Sequence, residues 1–130
     1  MPALMLDTYN MLRALLLSLL FLVPAHPGVM AADRFVSVIE DLPLMEGLSE
    51  NENAAVTFDS AGGRIAEAEA RGNVEPAKVL RFYQDVLPQL GWAKTGDGLY
   101  ERERERLKLT IEADGDGGTV IAFSVSPNSD

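Results

Sequence analysis

The chain has 130 residues, a formal charge of −9, no cysteine and a single histidine, His26. The missing cysteine excludes disulfides, thiolate nucleophiles and Cys-ligated zinc or iron–sulfur sites. The acidic balance argues against nucleic acid or an anionic membrane surface as a partner.

Leu12 to Val23 is almost unbroken apolar sequence. Twelve helical residues cover only about 18 Å, short of the ~30 Å hydrocarbon core. Pro24, Pro27 and Gly28 then break the run, and Val29-Met30-Ala31 before Ala32 fits a small-residue cleavage site. Residues 1–32 therefore read as a secretory signal peptide, which places the mature chain in the periplasm or outside the cell. Asp7 is out of place in a region that should be basic, and a start at Met11 gives a more compact leader. No stable membrane span is expected after cleavage. His26 leaves with the leader, so the mature chain lacks the residue behind Ser-His-Asp chemistry, most acid–base catalysis and most transition-metal sites.

Residues 33–53 read as a strand and loop segment ahead of an α+β domain over 54–130. Phe35–Ile39 is β-branched and predicts a short strand. Pro43 and Gly47 forbid a long element after it, while Leu42, Leu44, Met45 and Leu48 are too apolar for a solvated linker. The segment either lies over one end of the core or docks a partner. Ala55–Phe58 predicts a strand, with a turn at Ser60–Gly63. The glycines there match no phosphate-loop pattern. Arg64–Ala70 alternates strictly, placing Ala66, Ala68 and Ala70 on one strand face and Ile65, Glu67, Glu69 and Arg71 on the other; its alanines also suit a helix, but the alternation and the flanking Gly63 and Gly72 favour a strand. Small residues on the inner face would let a helix approach closely.

Glu75–Trp92 carries the one long helical pattern outside the leader. Val79, Leu80, Tyr83, Val86, Leu87 and Leu90 trace a stripe of 3.6-residue period. Pro76 suits the first helical position, next to Glu75 at the N-cap. Gly91 suits a left-handed stop that folds Trp92 back onto Leu87. Pro88 predicts a kink or looser turn near 85–88. A Gly96-Asp97-Gly98 turn follows. Glu101–Arg106, ERERER, predicts a hairpin centred on Glu103-Arg104, with Arg102 facing Glu105, Glu101 facing Arg106 and Tyr100 facing Leu107. Two further strands carry Leu107, Leu109, Ile111 and then Ile121, Phe123, Val125 on one face. Asp114–Gly118 begins like a calcium loop, but its twelfth position is Val125 where a carboxylate is required. A glycine-rich turn is the plainer reading. The fold class is α+β: one amphipathic helix packed on one face of an antiparallel sheet, ββαβββ-like, after a signal peptide.

The segments DLPLMEGL (Asp41–Leu48), FDSAGGRI (Phe58–Ile65), FYQDVLPQLGW (Phe82–Trp92) and FSVSP (Phe123–Pro127) resemble a group of small exported bacterial proteins of unknown function. The resemblance covers most of the mature chain and implies one helix followed by a β-meander. It transfers no catalytic residue.

The leading functional reading is a non-catalytic binding or scaffold module of the cell envelope, with an envelope protein or component as partner and no cofactor or metal. Its candidate contacts are Leu44, Met45 and Leu48, with Trp92 and Tyr100 if exposed. The alternative is a carboxylate-dependent hydrolase acting on envelope polymers. Glu67 and Glu69, roughly 7 Å apart by strand rise, fall in the range of inverting pairs. A small apolar ligand between helix and sheet comes last, because a core of this size barely holds its own side chains. Partner identity and oligomeric state are not written in the sequence.

Overall fold

In the computed structural model, which describes residues 34–128, seven antiparallel strands form one sheet against one α-helix. The strands are β1 (Leu48–Glu50), β2 (Val56–Ser60), β3 (Gly63–Gly72), β4 (Ala93–Gly96), β5 (Leu99–Arg102), β6 (Glu105–Ala113) and β7 (Thr119–Pro127). The helix α1 (Pro76–Gln89) joins β3 to β4, and a short 3-10 turn (Glu52–Ala54) joins β1 to β2. The strand order is β1-β3-β7-β6-β5-β4, and β2 pairs with β3 beside β1. The leader lies outside the described residues. Among the described residues no helix is long and apolar enough to cross a membrane.

The period of two divides the sheet as the alternation predicts. Ala66, Ala68, Ala70, Leu107, Leu109, Ile121, Phe123 and Val125 are buried on the inner face. Ala68 pairs with Phe123, and Phe123 with Leu109, so these residues lie in one line across β3, β7 and β6. The other face is uncovered. There Phe58 of β2, opposite Ile65, remains exposed.

In α1 the buried residues are Val79, Tyr83 and Leu87, four apart, with Val86 and Leu90 partly covered beside them. Leu80 departs from the expected stripe and is 41 % exposed. Adjacent helical residues point about 100° apart, so a face centred on Val79 turns Leu80 toward its border. The helix ends in a Schellman stop. The Trp92 N–H donates to the Leu87 carbonyl and the Gly91 N–H to that of Pro88, with Gly91 at φ +87°. The expected kink at Pro88 does not interrupt the helix, which runs unbroken to Gln89. Pro88 falls in the last turn, where the absent donor costs a single bond and the stop resumes the pairing at once.

The N-terminal segment differs most from expectation. Phe35–Ile39 is not a strand; its one ladder contact is an isolated bridge from Phe35 to Pro43. The backbone folds into turns instead. Val36 N–H donates to the Leu42 carbonyl, Ile39 N–H to Val36 and Leu42 N–H to Ile39. These turns aim Val36, Ile39, Leu42, Leu44 and Leu48 inward, a spacing of three, three, two and four that no strand could bury on one face. Residues 34–53 are therefore not a separate segment, because β1 pairs with β3 and these side chains belong to the main core. The helix packs on β4 and β6, and through Tyr83 on Phe123. The alanines of β3 share one core cluster with the helix residues and with the apolar side chains of the N-terminal segment.

The ERERER hairpin has the expected register: Arg102 opposite Glu105, Glu101 opposite Arg106 and Tyr100 opposite Leu107. One of the two ion pairs forms as drawn, Arg106 to Glu101 at 3.4 Å. The other exchanges partners. Glu105 takes Arg64 at 3.2 Å, and Arg102 reaches Asp41 at 2.7 Å.

Candidate binding groove

Of the five residues expected to meet a partner, Leu44, Leu48, Trp92 and Tyr100 are buried and Met45 is partly covered. Leu44, Met45, Leu48 and Trp92 belong to the core of this fold rather than to a docking surface, while Tyr100 also lines the groove described below. Tyr83 explains part of this. Its hydroxyl donates to the Pro43 carbonyl at 2.9 Å and accepts the Met45 N–H at 3.4 Å, which ties the segment to the helix. Burial pushes the Tyr83 phenol up to about 12, although the Met45 hydrogen bond acts in the opposite direction. Trp92 is covered in another way. The Arg102 guanidinium lies 4.3 Å from the Trp92 ring centroid while donating to Asp41 and to the Leu90 carbonyl at the helix end. The Trp92 indole N–H is sealed without an acceptor.

A concave surface lies at the opposite end of the helix, a groove of about 440 Å³ between the first turns of α1 and β6. Pro76, Ala77 and Leu80 form its helical wall. Leu109, Thr110 and Ile111 of β6 form the facing side, and the β4–β5 turn at Asp97 and Gly98 closes one end. Gly98 is there by necessity. It sits at φ +65°, and a Cβ would come within 2.5 Å of the Leu109 carbonyl, to which the turn is already bonded through Leu109 N–H and Gly98 O.

Tyr100 lines this groove and is 2 % exposed, yet its hydroxyl has no hydrogen-bond partner among the described residues. Unlike the Trp92 N–H, that hydroxyl is not sealed from solvent, and the groove is the opening its residue lines. Burial raises the Tyr100 phenol above its ordinary range. An apolar cleft with a few polar groups in its lining is the usual form of a small-molecule site.

Apart from Asp97 and its neighbour Lys94, the charged groups lie elsewhere. Asp97, at the end of the groove, is 3.9 Å from Lys94 Nζ. Glu69 pairs with Arg71 at 3.1 Å, and Glu67 is exposed beside it on the uncovered face, away from the groove. The Asp114 carboxylate accepts the N–H groups of Asp116 and Gly118, so it closes the β6–β7 turn. Among the described residues no group of three His, Cys, Asp or Glu side chains could hold a metal ion.

Leu80, Pro76 and Ala77 were not singled out by sequence reasoning as site residues. The one available signal was the neighbouring pair Val79-Leu80, since two successive helical residues cannot both occupy the centre of a buried face. No family model matches the chain, and no curated protein or solved structure is similar enough to it to carry a function.

Proposed function

We propose that this chain is an exported, non-catalytic binding domain of the cell envelope and that it holds its partner component in the groove beside α1. The observation that carries this reading is the apolar cleft beside α1, lined by the exposed Leu80 and by Tyr100, whose hydroxyl has no hydrogen-bond partner among the described residues. Export rests on the apolar run Leu12–Val23 and the small residues before Ala32. The absence of cysteine, and of histidine after residue 26, supports binding over nucleophilic or imidazole catalysis. The resemblance to small exported bacterial proteins points to the same compartment.

The test uses full-length protein expressed in a bacterial host and recovered from the exported fraction without denaturation. Native mass spectrometry is expected to show the mature chain carrying a bound species, lost in Leu80→Asp, with a first residue at or after Val29. Retention of that species in Leu80→Asp, or a mature chain without any, would remove the groove from the proposal. A first residue upstream of Val29 would remove cleavage at this site.

A further inference from the structure

We infer that β2 is a dimerisation edge: a second copy of this chain pairs antiparallel along it, with Phe58 opposite Phe58 across a two-fold axis. This inference does not rest on the groove beside α1.

The first observation is the hydrogen bonding. Ser60 pairs directly with Gly63 across a two-residue turn, so these two residues exchange both ladder bonds. Alternation then bonds Phe58 and Val56 to β3 and turns the N–H and C=O groups of Thr57 and Asp59 to the free side. Among the described residues no strand pairs with that side. Such a row of groups is a template for another extended backbone, which fixes the kind of partner.

The second observation is the contrast between the sheet's two ends. At the far end, β4 has four residues, carries the exposed Lys94, and shifts register between Lys94 and Gly96. Shortness, charge and irregularity are the usual guards of an edge against strand pairing. The strand β2 has no proline, no lysine and a continuous register, and all five of its residues are exposed. Val56 and Phe58 stand on the uncovered face at 46 % and 51 % exposure.

The third observation is self-complementarity. A two-fold axis at Phe58, the middle residue of β2, sets Thr57 opposite Asp59 of the second copy, and each such pair can exchange both backbone bonds. Phe58 then faces its own copy at a position without ladder bonds, where side chains come closest. Asp59, the only charged residue of β2, meets Thr57 and not its own copy, so no like charges face across the strands. The −9 carried by each copy opposes approach at long range, so association strengthens as salt screens it. A five-residue edge covers less than the ~1,200–2,000 Å² of a standard interface, and the dimer therefore exchanges with monomer.

The test uses full-length chain expressed for export and purified without denaturation. Sedimentation equilibrium should show a monomer–dimer equilibrium that tightens with added salt. Thr57→Pro removes an outward donor without touching a bond to β3, and Phe58→Lys, a second variant at an exposed position, sets like charges across the axis. Each should weaken association about tenfold or more while keeping the far-ultraviolet spectrum. Amide exchange should slow at Thr57 and Asp59 as protein concentration rises, while Val56 and Phe58 stay protected at every dilution. Because the chain has no cysteine, Phe58→Cys should give a disulfide-linked dimer on mild oxidation, and Ala122→Cys, on the same face in β7, should not. A wild type that is monomeric at millimolar concentration and high salt would overturn the inference and leave the edge to a strand of another protein. A monomer with Thr57 and Asp59 protected at every dilution would overturn it too, and assign the edge to a segment of the same chain. A dimer that ignores both Thr57→Pro and Phe58→Lys would move the contact away from β2. A dimer sensitive to both variants but not cross-linked through Phe58→Cys would overturn the register about Phe58.

Discussion

Replacing Tyr83 by Phe removes one oxygen and leaves two partly buried backbone groups, the Pro43 carbonyl and the Met45 N–H, without their partner. The ring would stay where it is, edge-on to Phe82 and Phe123 at 4.9 and 5.4 Å. The loss is therefore one of hydrogen bonding rather than packing. An unsatisfied buried group costs about 1–3 kcal/mol, which sets the expected destabilisation near neutral pH. For a domain of this size that lowers the midpoint by at least about 4 °C. A second readout separates the phenol from general loosening. The folded phenol titrates at about 12 and the unfolded one near 10, because burial disfavours the anion. Below the unfolded value both states hold the proton and the contribution is complete. As pH rises from 10 toward 12 the unfolded chain releases the proton first, so the wild type loses about 2–3 kcal/mol. Tyr83→Phe cannot lose this. Reversible urea unfolding of both proteins across that window should show the wild-type curve falling toward the variant, since all other titrating groups are common to the two. Hydrogen exchange should also quicken in residues 36–45 of the variant. Parallel stability curves across the window would refute the reasoning, and so would unchanged stability at neutral pH.

Three further outcomes follow from named contacts. Gly98→Ala combines an unfavourable φ of +65° with a Cβ about to meet the Leu109 carbonyl, and should cost more than about 1 kcal/mol in urea unfolding. Arg102→Met keeps a stem over the indole but loses the bonds to Asp41 and Leu90. It should cost about 1–2 kcal/mol and change the emission of Trp92, the only tryptophan in the chain. Leu48→Ala should cost about 2–5 kcal/mol if residues 34–53 belong to the core, and unfolding should remain a single transition by both fluorescence and circular dichroism. A cost under half a kilocalorie would make that segment peripheral.

Sequence reasoning succeeded where the decisive interactions are local or periodic. The register of the ERERER hairpin came from the turn at its centre and the two hydrophobic residues flanking it, Tyr100 and Leu107. The helix stop came from Leu90-Gly91-Trp92, since only glycine takes φ +87° without strain. It failed at Phe35–Ile39, where β-branched residues were overruled by turns that turn Val36, Ile39 and Leu42 into one core. The cause is tertiary. A strand needs a neighbour to pair with, and here β1 and β2 already occupy the free edge of β3.

The candidate site divides in the same way. Alternation alone determined that Leu107, Leu109, Phe123 and Val125 share a face, and the 3.6-residue stripe in Glu75–Trp92 that a helix has one side to bury. Which apolar residues remain outside the core was decided only by assembly. Trp92 is hidden because Arg102, on the neighbouring strand β5, closes over it and takes Leu90 and the distant Asp41 as anchors. Leu80 is left out because the helix centres its buried face on Val79, Tyr83 and Leu87, which turns Leu80 to the border of that face. Periodicity records which side of an element is apolar. How far two elements stand apart, and whether a hydroxyl between them finds a partner, depends on contacts between residues far apart in the chain.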